Sequence, residues 1–149
     1  MEAAMSEYIP SPSAWVAEQV ELYEGSGGTK GLTLRDTGLP VIIVTNRGRR
    51  TGAIRKTPLM RVVDGENYVL VASKGGAPKH PVWYYNLKNE PNVEIRDKTE
   101  VRSMKVREGA DSAERQRLWD IAVKAYPPYQ DYQDKTDRLI PVFIAEPVK

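Results

Sequence analysis

The chain has 149 residues, a length that suits one compact domain with its own core. It contains no cysteine and a single histidine, His80. That excludes disulfides, thiolate nucleophiles, iron–sulfur clusters, zinc–thiolate sites and multi-histidine metal sites, and it leaves the hard chemistry of any reaction to a bound cofactor. Net charge is only +2, yet residues 37–89 hold nine bases against two acids, while the remainder holds thirteen against eighteen. A basic middle in a near-neutral chain points to a local anionic ligand.

Residues 1–12 read as irregular. A short helix is predicted from Ser13 to Glu24, where Trp15, Gln19, Leu22 and Tyr23 make no clean apolar stripe, so it is expected to dock loosely. Gly25-Ser26-Gly27-Gly28 then breaks the chain. The predicted organisation is an N-terminal arm with a glycine-rich joint over residues 1–28 and a barrel domain over 29–149. The arm is expected to act as a gate or a membrane-surface contact rather than as part of the fold. The N-terminus lacks a basic-then-apolar pattern with a small-residue cleavage site, and no apolar run approaches the ~20 residues of a membrane span, so the expected location is cytoplasmic.

Val41 to Thr45 is a β-branched run typical of a buried strand. Arg47 to Gly52 carries turn glycines, Ile54 to Val63 resumes as a strand, and Asp64-Gly65 marks a turn. Tyr68 to Ser73 is a third strand, halted by Gly75-Gly76, and the three are expected to form an antiparallel meander. Pro81 to Lys88 is predicted as a short helix. Val93 to Arg96 and Val101 to Val106 alternate as strands. Asp111 and Glu114 form a capping box that opens a helix with Leu118, Ile121, Ala122 and Ala125 on its apolar face. Pro127-Pro128 ends it, and Leu139 to Ala145 is a last strand. The fold class is therefore α+β, mainly antiparallel: a small six-stranded barrel with a few helices.

Four constellations carry candidate chemistry. Arginine forks in the hairpin from Arg47 to Lys56 match phosphate oxygens, and Gly48 and Gly52 allow a close backbone approach. Ser73-Lys74-Gly75-Gly76 ends an apolar strand with small residues suited to a ring system. Of Trp83-Tyr84-Tyr85, at least one ring is expected in the core and the others beside a planar ligand. Tyr126, Tyr129 and Tyr132, spaced by three, put phenols on one side of a short helix or turn. Each also fits a plain structural role. No nucleic-acid signature accompanies the basic residues, so no nucleic-acid partner is expected.

Taken together, Gly48-Arg49-Arg50-Thr51-Gly52 with Arg55 and Pro58, Ser73-Lys74-Gly75-Gly76 with Pro81-Val82-Trp83-Tyr84 and Asn86-Leu87, and Tyr126-Pro127-Pro128-Tyr129-Gln130-Asp131-Tyr132 resemble the deazaflavin (F420)-dependent nitroreductase family. The blocks run from about Val41 to Pro147. The resemblance implies a split β-barrel that binds coenzyme F420 and passes a hydride from its reduced form to a planar, electron-poor acceptor such as a quinone or nitroaromatic. It puts Arg49, Arg50 and Arg55 near the phosphate, with Lys56 as a further cofactor-binding candidate. Pro58, Met60, Ala72, Ser73, Lys74, Gly75, Val82 and Trp83 fall along the cofactor groove, with Met60 where relatives can carry an aromatic. Ser73, Tyr126, Tyr129 and Tyr132 become the catalytic candidates. The same barrel and arginines also serve a non-catalytic flavin or tetrapyrrole carrier, or an FMN-dependent oxidoreductase.

Overall fold

The structure is a computed structural model that describes residues 7–34, 37–109 and 111–148. The opening half of the stretch expected to be irregular, residues 1–6, lies outside the described residues. The elements in chain order are α1 (Ala14–Gly25), β1 (Val41–Arg47), β2 (Ile54–Met60), β3 (Val63–Asp64), β4 (Asn67–Val71), α2 (Val82–Asn89), β5 (Asn92–Asp97), β6 (Glu100–Glu108), α3 (Ser112–Ala125), α4 (Pro128–Lys135) and β7 (Val142–Pro147). A single turn of tight helix, Lys74–Gly76, follows β4.

The strands form one antiparallel sheet in the order β2-β1-β5-β6-β7-β4-β3. Its two edge strands, β2 and β3, are neighbours in the chain but not partners in the sheet. The sheet therefore curls until Arg61-Val62 spans its seam, where Arg61 donates to the Pro40 carbonyl and Val69 to that of Val62. This is the expected antiparallel split barrel, with the run from Ile54 to Val63 divided into two strands at the seam.

The expected meander forms only in part: β1 pairs with β2 and β4 with the two-residue β3, but β2 and β4 do not meet. β4 pairs with β7, on the far side of the sheet from β2. The physical reason is legible at Pro58, opposite Ile43 in the middle of β2. Proline has no N–H to offer a second neighbour, so β2 is an edge. The last strand also begins at Val142, later than expected, after the buried Ile140.

Both faces of the sheet are covered, which explains why Val41 to Val44 is uninterrupted apolar sequence. Ile42, Val44, Leu70, Met104 and Phe143 fill the barrel interior with Leu87 of α2. Val69, Val142 and Ile144 face outward against Leu118, Trp119 and Ala122 of α3. The capping box holds, with Asp111 Oδ1 accepting from the Glu114 N–H at 2.8 Å. The apolar face of α3 differs at two positions: Trp119 is buried and Ala125 is exposed.

The first helix is docked firmly, against the expectation of a loose arm. Val20 and Tyr23 pack on Val41 and Ile43, and Tyr23 is fully buried. Its hydroxyl donates to the Val41 carbonyl at 3.1 Å and accepts from the Lys98 N–H at 2.7 Å. Gln19 Nε2 donates to the carbonyls of Gly31 and Thr33. The helix has no amphipathic stripe because its few buried residues grip one corner of the barrel. Leu22 and Trp15 stay partly exposed.

Candidate active site

A cleft of about 980 Å³ runs beside the edge strand β2. It is large for a small-ligand site, with room for two planar molecules. Its wall is built mainly by the N-terminal segment, the basic hairpin with strand β2, the loop after β4, the start of α2, and the tyrosines at and just before α4.

The hairpin is held by buried amides. Asn46 and Asn86 are 2% and 4% exposed. Asn86 Nδ2 donates to Asn46 Oδ1 at 3.1 Å, and Asn86 Oδ1 accepts from the Arg49 N–H at 2.9 Å. Across the loop itself, Gly48 N–H donates to the Ala53 carbonyl at 2.7 Å. Buried amides with partners are rigid, because breaking such a pair strands polar groups away from water. The arginines are thus carried on a fixed frame.

Arg49, Arg50, Arg55 and Lys56 all line the cleft. Among the described residues Arg49, Arg50 and Arg55 have no acidic partner, and Arg49 lies over the Tyr85 ring at 5.1 Å. Lys56 differs. Its ammonium pairs with the Glu24 carboxylate of α1, which also binds Arg96.

Ser73, Lys74 and Gly75 line the cleft as well. Lys74, Gly75 and Gly76 have consecutive positive φ angles of 46°, 62° and 80°. For Lys74 this is a strained, left-handed conformation that the surroundings must impose. Gly76 is obligatory for a second reason: a Cβ there would lie 2.7 Å from the Tyr132 carbonyl oxygen.

Of the three rings on α2, Trp83 and Tyr85 border the cleft, while Tyr84 packs on Phe143 at 5.6 Å between ring centroids. Val82 lies at the mouth and is 74% exposed.

Tyr126, Tyr129 and Tyr132 converge on the cleft, with centroids 4.9 to 6.2 Å apart. The hydroxyls of Tyr126 and Tyr132 share one hydrogen bond at 3.1 Å, which together with burial pushes the Tyr126 phenol up to about 12. Tyr129 is 5% exposed, and burial raises its phenol further, with the neighbouring tyrosines adding to the effect. Among the described residues no group hydrogen-bonds the Tyr129 hydroxyl. It remains a neutral O–H donor at physiological pH.

Pro58 and Met60 also border the cleft, so of the cofactor-binding and catalytic candidates only Ala72 does not, while Gly52, Gly76 and Tyr84 of the wider constellations also lie off its lining. Ala72 is fully buried beneath the loop, and its carbonyl accepts from Arg138. Strand alternation turns its side chain into the barrel. The N-terminal segment, expected as a gate or membrane contact, adds Ser11, Pro12, Trp15 and Val16 to the wall; nothing local in the sequence assigned these residues to the site individually.

The F420H(2)-dependent quinone reductase family model matches residues 15–147. The chain belongs to this family. Its relatives include an F420H(2)-dependent quinone reductase of Mycobacterium tuberculosis, 35% identical over 127 residues that cover 83% of each chain. A solved F420-H2 dependent reductase, FDR-A, is 50% identical, with a TM-score of 0.67 over 72% of this chain and 94% of that one. A structure described as a domain-swapped dimer is 47% identical, with a TM-score of 0.70 over 91% of this chain and 100% of that one. HutZ, the heme storage protein of Vibrio cholerae, shares the fold alone at 14% identity, with a TM-score of 0.54 over 73% and 82% of the two chains. Like its family, the chain is an F420H2-dependent oxidoreductase, with coenzyme F420 as its cofactor.

Proposed function

We propose that the cleft seats F420 with its phosphate on the basic hairpin and its ring beside Ser73, Lys74 and Gly75, and that the chain reduces a quinone held under the tyrosines of α4. One observation carries this reading: three arginines without acidic partners and three converging phenols line the same cleft. The residues fit such a cofactor. Arginine forks on a rigid frame match phosphate oxygens, and the apolar wall of Pro58, Met60, Val82 and Trp83 matches a flat ring.

When bound, the reduced cofactor supplies a hydride from carbon 5 of its ring. The chain's own work is to hold, orient and exclude water. Tyr129 keeps a proton at its hydroxyl and offers it where negative charge develops on an acceptor oxygen. Ser73, 9% exposed, is the second polar side chain of the substrate side. Lys56, engaged by Glu24, ties α1 to the cleft wall and acts on the phosphate less directly than the arginines.

Binding and turnover separate this enzyme from a carrier on the same barrel. F420 is expected to bind at low micromolar concentration or tighter, roughly −8 kcal/mol, and F420H2 oxidation by a soluble quinone should accelerate on adding protein. Arg55→Glu should weaken F420 binding by about 2 kcal/mol through lost pairing and added repulsion. Fluorescence titration of the folded variant measures it, and an unchanged Kd would return Arg55 to a solvated hairpin.

No helix among the described residues is long and apolar enough to cross a membrane. A peripheral, cytoplasmic-face contact is the reading we favour for the N-terminal segment, because Ile9, Trp15 and Leu22 are partly exposed there. Co-sedimentation with phospholipid vesicles should capture the parent and lose Trp15→Ser; equal recovery of both removes the membrane role.

A further inference from the structure

We propose that Arg138 is a positioning residue, which turns the Ser73 and Lys74 N–H groups toward the cleft as a pair of backbone donors for an electronegative edge of the bound ring. The inference rests on the F420 reading of that cleft.

Arg138 lies between α4 and β7 and does not line the cleft. Its guanidinium is surrounded by acceptors from one loop. Nε donates to the Ala77 carbonyl at 2.7 Å, Nη1 to the Ala72 carbonyl at 3.1 Å, and Nη2 to the Ser73 carbonyl at 2.6 Å. Nη1 also lies 2.9 Å from His80 Nδ1, which must be the acceptor because a guanidinium has only donors. No carboxylate pairs with Arg138 among the described residues.

A planar trans peptide points its N–H opposite to its C=O. The Ala72 and Ser73 carbonyls face Arg138, so the N–H groups of Ser73 and Lys74, which belong to the same two peptides, face away from it. Neither N–H has a partner among the described residues. Ser73 and Lys74 line the cleft, so the side away from Arg138 is the cleft side. The left-handed Lys74, which opens the run of positive φ to Gly76, needs an external brace. Arg138 supplies it on one side and the α4 backbone, pressed on Gly76, supplies it on the other. Lysine could not replace this brace, because a point donor does not span a planar set of acceptors.

Arg138→Lys and Arg138→Gln test the assignment against the parent, with F420 Kd, the KM values for F420H2 and for a soluble quinone, kcat and Tm all measured. In both variants F420 Kd and the F420H2 KM should rise by about 10-fold or more, with the quinone KM within about twofold. The Lys variant should not rescue. A lower Tm with fewer active molecules but unchanged Kd and KM values would reduce Arg138 to scaffold and overturn the proposal. If the parent itself does not bind F420, the reading of the cleft fails and takes this inference with it; if the parent binds and the variants match it, only the inference fails. Should both variants fail to fold, His80→Phe removes one acceptor of the brace and keeps the ring contact with Tyr84. It should raise the F420H2 KM by about threefold, and an unchanged value overturns the proposal.

Discussion

Tyr129→Phe is expected to lower turnover about 100-fold or more while leaving F420 affinity nearly unchanged. The basis is a contrast within the cluster. Tyr126 and Tyr132 engage one another, whereas the Tyr129 hydroxyl has no partner among the described residues, although its ring is almost fully buried in the cleft wall. Removing one preorganised donor to a developing oxyanion costs about 2.7–4 kcal/mol in comparable sites. Tyr126→Phe and Tyr132→Phe should cost less, because each removal frees the other hydroxyl of the pair. The raised Tyr129 pKa sets the sign of the pH dependence. The phenol stays protonated through neutrality and above its ordinary value of 10.0, so the donor should not titrate away between pH 6 and about pH 9. Steady-state oxidation of F420H2 by a soluble quinone measures this. Turnover by Tyr129→Phe within threefold of the parent, with F420 bound normally, would remove Tyr129 from the chemistry and leave it as a wall.

Tyr23→Ala is expected to destabilise the fold by about 3–5 kcal/mol, the range for deleting a fully buried aromatic side chain. The lost ring leaves a cavity among Val20, Val41 and Ile43, and the lost hydroxyl strands two backbone groups, the Val41 carbonyl and the Lys98 N–H. Tyr23→Phe isolates the second part and should cost about 1–3 kcal/mol. Chemical denaturation of both variants separates packing from polar satisfaction. The same argument reverses the expectation for truncation. Removing residues 1–24 takes Val20, Tyr23 and Glu24 with it, so the melting temperature should fall steeply. A truncated chain that melts with the parent would restore the picture of a detachable arm over residues 1–28 and a self-sufficient barrel over 29–149.

The two regions differ in how they were written into the chain. The elements whose chemistry is local could be read directly. A capping box works through residues three apart, so Asp111 and Glu114 located the start of α3. Tyrosines at spacing three had to share a face, and they do. Glycines beside arginines announced a tight basic turn, and nearly every residue singled out lines one cleft. Even the edge character of β2 was present in Pro58, where a missing N–H outweighs the meander that chain order suggests.

What the tertiary structure alone decided depends on partners far apart in sequence. Asn46 meets Asn86 across 40 residues, and Arg138 reaches the loop after β4 across as many as 66. Neither pairing leaves a trace in composition or periodicity, since an asparagine or arginine in isolation reads as a solvated side chain. Tyr23 is the same case: without an apolar stripe around it, only the corner of the barrel that receives it makes it core. Local spacing determines which groups the chain offers for chemistry; the closure of the sheet at its seam determines which backbone they are held against, because long-range hydrogen bonds and burial exist only once the strands have met.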